Sequence, residues 1–339
     1  MANLQLLEKL CNARGISGKE DNVRDIILEE IKGYADECTI DNMGNIIVFK
    51  KGKAPAKNKL MLSAHMDEVG FIVTYITDEG LLKFSCVGGI DKRVISGKSV
   101  TVGKNAINGV IGLKPIHLLN SDGRAKTVDV EDLYIDIGAN SKEDALQHVS
   151  LGDMVCFKSV FDTSNGMIRA KAIDDRAGCL ILIEMIKSEL PYDMYFTFVV
   201  QEEVGLCGSK VAAYIVEPNA SIVVEATTAA DIPNVDSDKK VCFVNKGAVI
   251  SFMDRRTIYD KDLYNMAIEM ENTQPKQAVA GGNDAGAIHT SKGGVKTLAV
   301  SLPCRYLHSP TSVISQSDLI FVENTVRACA EKIAGGLGL

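Results

Sequence analysis

Met194-Tyr195-Phe196-Thr197-Phe198-Val199-Val200-Gln201-Glu202-Glu203-Val204-Gly205 joins a continuous apolar run to two adjacent carboxylates and a glycine turn. A run without polar alternation suits a strand buried on both faces, the kind that builds the parallel sheets of α/β proteins. Two carboxylates directly after such a strand repel one another unless positive charge lies between them. Adjacent residues point in different directions, so one glutamate can hold a cation while the other stays free to take a proton from water. Two solvated acids in a loop would carry the same residues, and the stretch alone does not decide between them.

Three further apolar runs lead to residues of the same type. Lys59-Leu60-Met61-Leu62-Ser63-Ala64 stops at His65, Ser221-Ile222-Val223-Val224 stops at Glu225, and Lys296 to Leu302 lies shortly before His308. The carboxyl edge of an open α/β sheet hosts the active site, so four strand ends are expected to converge there. His65-Met66-Asp67 offers a histidine with a carboxylate two residues on that orients or polarises the ring, although a surface or capping pair has the same sequence. Ala172-Ile173-Asp174-Asp175-Arg176 puts two acids at a helix start, where capping accounts for one but hardly both. His117, His148 and His289 lack such settings and read as structural or exposed. Two histidines, three carboxylates and a spare glutamate form the inventory of a two-metal hydrolase. In such a centre, ions about 3.5 to 4 Å apart share a carboxylate, acidify a water and stabilise an oxyanion. Zinc accepts the mixed nitrogen and oxygen set, as do cobalt and manganese.

Around these strands, residues 3–14 carry apolar positions at helical spacing, and Ser17 with Glu20 has the spacing of a capping box opening a helix to about Lys32. Residues 45–50 read as a strand, 176–190 and 317–334 as helices. From Gly70 to Phe161 the texture changes to short alternating segments divided by turn signals such as Gly88-Gly89, with one short helical stretch at 143–149, so a separate β module is expected. At 339 residues the chain exceeds the usual size of one domain, which fits a large core plus a smaller module. With 46% apolar and 24% charged residues it reads as a soluble globular protein. A net charge of -7 and a pI near 5.4 argue against nucleic-acid or acidic-membrane partners, because a phosphate surface demands a basic face. The nine cysteines include no C-x-x-C pair and read as reduced, buried thiols. The N-terminus lacks an uncharged core of signal-peptide length, and no apolar run approaches the roughly 18 residues that span a bilayer. A cytoplasmic location is expected.

In register, Ser63-Ala64-His65-Met66-Asp67, Ala172-Ile173-Asp174-Asp175-Arg176, Gln201-Glu202-Glu203-Val204-Gly205, Val224-Glu225-Ala226-Thr227 and Arg305-Tyr306-Leu307-His308-Ser309-Pro310 closely resemble the tetrahedral (TET) aminopeptidases over nearly the whole chain. That family includes glutamyl aminopeptidases and proteins historically labelled endoglucanases. The resemblance implies a mixed-sheet α/β/α metallopeptidase domain made of 1–68 and 164–339. Residues 69–163 would be an inserted β-rich, PDZ-like domain that helps dimers assemble into a hollow dodecamer. It also implies two divalent ions per subunit, zinc first with cobalt or manganese as alternatives. Asp174 would bridge them, His65 and Glu225 completing one site and Glu203 and His308 the other. Glu202 would be the general base, Asp67 the partner of His65, and a non-proline cis peptide would follow Asp174. Substrates would be short peptides with a free amino terminus.

This chain departs from the family pattern in three places. Many relatives carry aspartate at the position of Glu225, and the usual Gly-Gly-Thr-Asp stretch reads Gly281-Gly282-Asn283-Asp284, with Ser312 where an acid is common. The competing readings are a glycoside hydrolase, a metal-dependent carboxypeptidase or deacylase, and a non-catalytic assembly protein. The absence of Trp speaks against a sugar-stacking cleft.

Overall fold

The computed structural model describes residues 3–121 and 126–337. Strands β1 (Glu37–Ile40), β2 (Ile46–Lys50) and β3 (Leu60–His65) precede β4 (Gly70–Ile76), β5 (Leu82–Val87), β6 (Ser99–Val102), β7 (Ile107–Gly112), β8 (Tyr134–Asp136) and β9 (Met154–Phe157). They are followed by β10 (Met167–Ala170), β11 (Met194–Val199), β12 (Ala220–Thr228), β13 (Ala248–Ile250), β14 (Thr273–Pro275), β15 (Lys296–Cys304) and β16 (Ser312–Ser315). The helices are α1 (Leu4–Asn12), α2 (Asp21–Ile31), α3 (Lys142–Leu146), α4 (Ile173–Lys187), α5 (Cys207–Val216), α6 (Lys261–Ile268), α7 (Ala285–Ile288) and α8 (Gln316–Ala334).

Eight strands form one mixed sheet in the order β1-β2-β11-β3-β12-β15-β13-β14. Its centre, β11-β3-β12-β15, is parallel throughout, which is why these segments lack polar alternation. Alternate residues serve opposite faces. Leu60, Leu62 and Ala64 join the core with α1, α2, α4 and α8, whereas Met61, Val223 and Ala299 meet Ala213 and Val216 of α5 and Ala285 and Ile288 of α7. The sheet is thus covered on both faces.

Strands β4-β5-β8-β7-β6-β9 close into a barrel with its own apolar filling. Phe71 meets Phe84 and Phe157 edge-on at centroid distances of 5.0 and 5.1 Å. Closure leaves no exposed sheet edge, so the alternating pattern belongs to a closed barrel.

Some expectations are corrected. Ser17 and Glu20 form no capping box: α2 begins at Asp21, and Glu20 makes no side-chain cap. Its carboxylate instead accepts the N–H groups of neighbouring Gly18 (2.7 Å) and, across the fold, Gln201 (3.1 Å). The strand around 221–224 runs on to Thr228, since parallel pairing with β15 continues through Thr228↔Cys304. Glu225 therefore lies within β12, not past its end. The nine cysteines are free thiols but not all buried: Cys38 is exposed and Cys86 and Cys207 are half-buried, while burial pushes Cys11 and Cys156 up to about 12. Among the described residues no helix is long and apolar enough to cross a membrane.

Candidate active site

Because β11, β3, β12 and β15 run parallel and side by side, their carboxyl ends open onto one edge. His65 ends β3, Glu202 and Glu203 follow β11, Glu225 projects from β12, and His308 sits in the turn beyond β15. Asp174 comes from the first turn of α4, where φ and ψ of Asp174 and Asp175 are non-helical and the peptide bond between them is cis. This break separates the two acids. Asp175 accepts Gly178 N–H (3.0 Å) and His65 N–H (3.3 Å), capping the helix and holding the end of β3. Asp174 faces the site.

There the Asp174 carboxylate lies between the two histidines. Its Oδ1 is 3.3 Å from His65 Nε2 and its Oδ2 is 3.3 Å from His308 Nε2. Glu225 Oε2 is 3.6 Å from His65 Nε2, and Glu203 Oε1 is 3.3 Å from His308 Nε2. Two donor triplets result, His65 with Asp174 and Glu225, and His308 with Asp174 and Glu203, each with its ligand atoms within 4.8 Å of one another. Glu202 forms a third such grouping with His65 and Glu203.

The electrostatics are those of a centre overloaded with negative charge. Burial pushes the Glu225 carboxyl up to about 8 against the pull of His65. Burial also raises Glu202, and Glu225, Asp284 and Glu203 add to that shift. Burial disfavours charge on His308, but hydrogen bonds to Asp174 and Glu203 raise it to about 11. Both histidines hold Asp174 below the usual carboxylate range despite its burial. Glu225 Oε1 is buried with no hydrogen-bond donor, and Asp174 Oδ1 has only the His65 ring nitrogen beside it, at 3.3 Å. Orphaned, low-dielectric carboxylate oxygens beside surplus acids are costly unless protons or a cation meet them. The residues present thus fit divalent metal, with two imidazoles and three carboxylates as donors.

Asp67 lies beside the His65 ring and also holds the loop after β11. It is the main-chain carbonyl of Asp67 that faces His65 Nδ1 at 3.0 Å, while carboxylate Oδ1 is 3.6 Å away. The carboxylate accepts the N–H groups of Glu202 (3.0 Å) and Glu203 (3.1 Å) and the hydroxyl of Ser17 (2.6 Å). Arg176, fully buried, donates to Met66 O at 2.8 Å and Leu10 O at 2.6 Å, pinning the turn between His65 and Asp67.

Several residues escaped the sequence reading. Gly89, in the barrel loop after β5, presents its carbonyl to His308 Nδ1 at 2.8 Å. Ser17 was expected to cap a helix. A cavity of about 900 Å³ opens over Glu202, Glu203, Glu225 and His308 and is also lined by Arg255, Arg256 and Lys276. Lys276 is 6% exposed, its Nζ donates to Ala280 O at 2.9 Å, and burial lowers its pKa. A lysine after the short strand Thr273-Gln274-Pro275 has no distinctive local signature, so only the fold reveals it.

Residues 44–325 match the family model described as M42 glutamyl aminopeptidase. Over 96% of its length the chain is 30% identical to the glutamyl aminopeptidase of Lactococcus lactis subsp. cremoris, covering 96% of that protein. It is also 30% identical to the lysyl aminopeptidase of Pyrococcus furiosus, with 96% and 95% of the two chains covered. Among solved structures, the TET1 peptidase of Pyrococcus horikoshii, described as assembling into a tetrahedron or a large octahedral shell, superposes with a TM-score of 0.84. The two share 36% identity over 98% of this chain and 99% of that one.

Proposed function

The chain belongs to the M42 glutamyl aminopeptidase family, and from that footing we propose how its centre removes the N-terminal residue of a short peptide. It is an aminopeptidase; glycoside hydrolase, carboxypeptidase and deacylase chemistries are not favoured by its family or its named relatives. Two divalent cations would be held, one by His65, Asp174 and Glu225, the other by Asp174, Glu203 and His308. Zinc comes first, with cobalt and manganese as alternatives for the same donors. The observation that carries this reading is the Asp174 carboxylate, which offers one oxygen to each histidine at 3.3 Å. When bound, the ions supply positive charge that acidifies a water and stabilises charge developing on the scissile carbonyl oxygen. Glu202 takes the proton from that water and delivers it to the departing amine. Asp67, holding the N–H groups of both Glu202 and Glu203, sets proton acceptor and ligand with one carboxylate.

The preferred N-terminal residue is acidic on this reading. Family membership does not decide it, since relatives at equal identity are named lysyl and glutamyl. Lys276, with Arg255 and Arg256, supports it: a buried ammonium bound by one carbonyl is offset by a substrate carboxylate entering the cavity. Residues 1–68 and 164–339 would form the catalytic part and 69–163 an inserted PDZ-like module, supported by the separate barrel core. Assembly of dimers into a dodecamer is in keeping with exposed Ile116, Leu118 and Val160, apolar surface that association would cover. The unpaired thiols support a cytoplasmic location.

Chelator stripping followed by reconstitution with zinc, cobalt or manganese, assayed on a panel of aminoacyl-anilides, tests these points together. Activity is expected to vanish on stripping and return at two ions per chain, with glutamyl and aspartyl substrates ahead of leucyl and lysyl ones. Full turnover after exhaustive stripping sinks the metal reading, and a basic or neutral preference sinks the acidic one.

A further inference from the structure

The loop Gly88-Gly89-Ile90-Asp91 belongs to the barrel, yet it reaches the metal-type cluster at the sheet edge. An imidazole that ligates through Nε2 keeps its proton on Nδ1, and an acceptor placed there fixes both tautomer and ring plane. His65 has such an acceptor from its own segment, the Asp67 carbonyl at 3.0 Å. For His308 the acceptor is the Gly89 carbonyl at 2.8 Å, about 220 residues earlier in the chain by the separation of the two residues. The approach requires a missing side chain at Gly88. Gly88 has φ +83°, and a Cβ on it would lie 2.8 Å from Val69 Cγ1 and 3.2 Å from Glu203 Cβ. Gly89 has room for a Cβ, 3.6 Å from His308 Nδ1 at ordinary contact distance, and acts through its carbonyl. One barrel loop therefore hydrogen-bonds His308 and leaves room beside Glu203 only for a glycine, whereas the ring of His65 is held from its own segment by the Asp67 carbonyl.

The seating of this loop is anchored where the chain enters and leaves the barrel. Lys171 Nζ lies 2.6 Å from Glu68 Oε1, with the two residues 5% and 2% exposed, and also donates to Ala13 O at 3.1 Å. Arg14 Nη2 donates to Lys104 O at 2.9 Å, tying the end of α1 to the turn between β6 and β7. A buried, hydrogen-bonded ion pair of this kind fixes one geometry more than it adds stability.

We propose that Gly88 and Gly89 are positioning residues for one half of the centre: the barrel completes the His308, Glu203 and Asp174 triplet and leaves the His65, Asp174 and Glu225 triplet to the sheet. This rests on the two-ion reading above. The barrel thereby acts in metal retention and not only as a module for association.

The test measures zinc binding to the metal-stripped full-length protein by competition with a chromophoric chelator, which resolves two dissociation constants. Gly88→Val should raise one of them about 10- to 100-fold, the range found when a group supporting a ligand is lost, and leave the other unchanged. Gly97→Ala is the matched control, because Gly97 also has a positive φ, +74°, but has nothing within 4 Å of its added Cβ. It should alter neither constant. Equal weakening of both sites, or of neither, overturns the proposal. Binding of a single zinc by the unaltered protein overturns the two-ion reading instead, so the two failures are distinguishable. A crystal structure of the zinc-loaded protein needs no variant and decides the matter even if Gly88→Val does not fold. His308 should ligate through Nε2 with Nδ1 still on Gly89 O, and ligation through Nδ1 or withdrawal of the loop refutes the proposal.

Discussion

The two histidines of the centre share one carboxylate but are held in opposite ways. His65 is 1% exposed, ends a central strand, and is locked by Asp175 at its N–H and by the Asp67 carbonyl at its ring. His308 has a side chain 32% exposed, sits in a turn at φ +54°, and takes its ring support from the barrel. The sheet therefore builds one triplet as part of its own core, whereas the other exists only when loop and barrel are correctly seated. Unequal dependence on the rest of the fold is the consequence, and each variant below probes it.

Glu202→Gln should act on neither triplet. Turnover is expected to fall by about 10²- to 10⁴-fold with both zinc sites filled, as steady-state kinetics and metal analysis would show. Loss of metal together with activity would move Glu202 from proton transfer to ligation. His65→Ala and His308→Ala contrast the halves directly. The first should destabilise the protein by about 2 to 3 kcal/mol, because it leaves buried Asp174 and Glu225 without their partner. The second should cost less, about 1 to 2 kcal/mol, because His308 itself is partly exposed although the Asp174 and Glu203 carboxylates beside it are buried. Chemical denaturation of the metal-free proteins measures both, and equal costs would remove the asymmetry. Lys276→Met should cut the preference for glutamyl over leucyl anilide by about 10- to 100-fold through kcat/KM, with metal content unchanged. Ser17→Ala removes a hydroxyl donated to Asp67 and should lower kcat by about 5- to 10-fold with KM little altered. A change confined to KM would show that Asp67 does not transmit its position to Glu202.

Much of this was readable in the linear chain. The apolar runs before His65, Glu202 and Glu225 announce the parallel centre of the sheet because strands buried on both faces cannot alternate. The turn-rich stretch after Gly70 announces a distinct β region, and the barrel lies there. The capping role expected of Ser17 and Glu20 failed because Ser17 donates to Asp67 across the fold and Glu20 accepts from Gly18 and Gln201; the distant partners cannot be encoded by local spacing. Helices α5 and α6 went unread; α5 starts at Cys207 behind a left-handed Leu206 and lacks a polar N-cap side chain.

The sequence by itself determined which residue types stand at the ends of buried strands, since burial pattern and side-chain chemistry are properties of each position. It could not determine direction. That Asp174 faces the two histidines while Asp175 turns to Gly178 depends on the backbone break at the start of α4, and the paths of Glu202 and Glu203 follow from Gln201 at φ +56° and from the grip of Asp67. The Gly89 carbonyl on His308 has no signature in sequence at all, because every residue carries a carbonyl and only closure of the barrel brings this one within 2.8 Å.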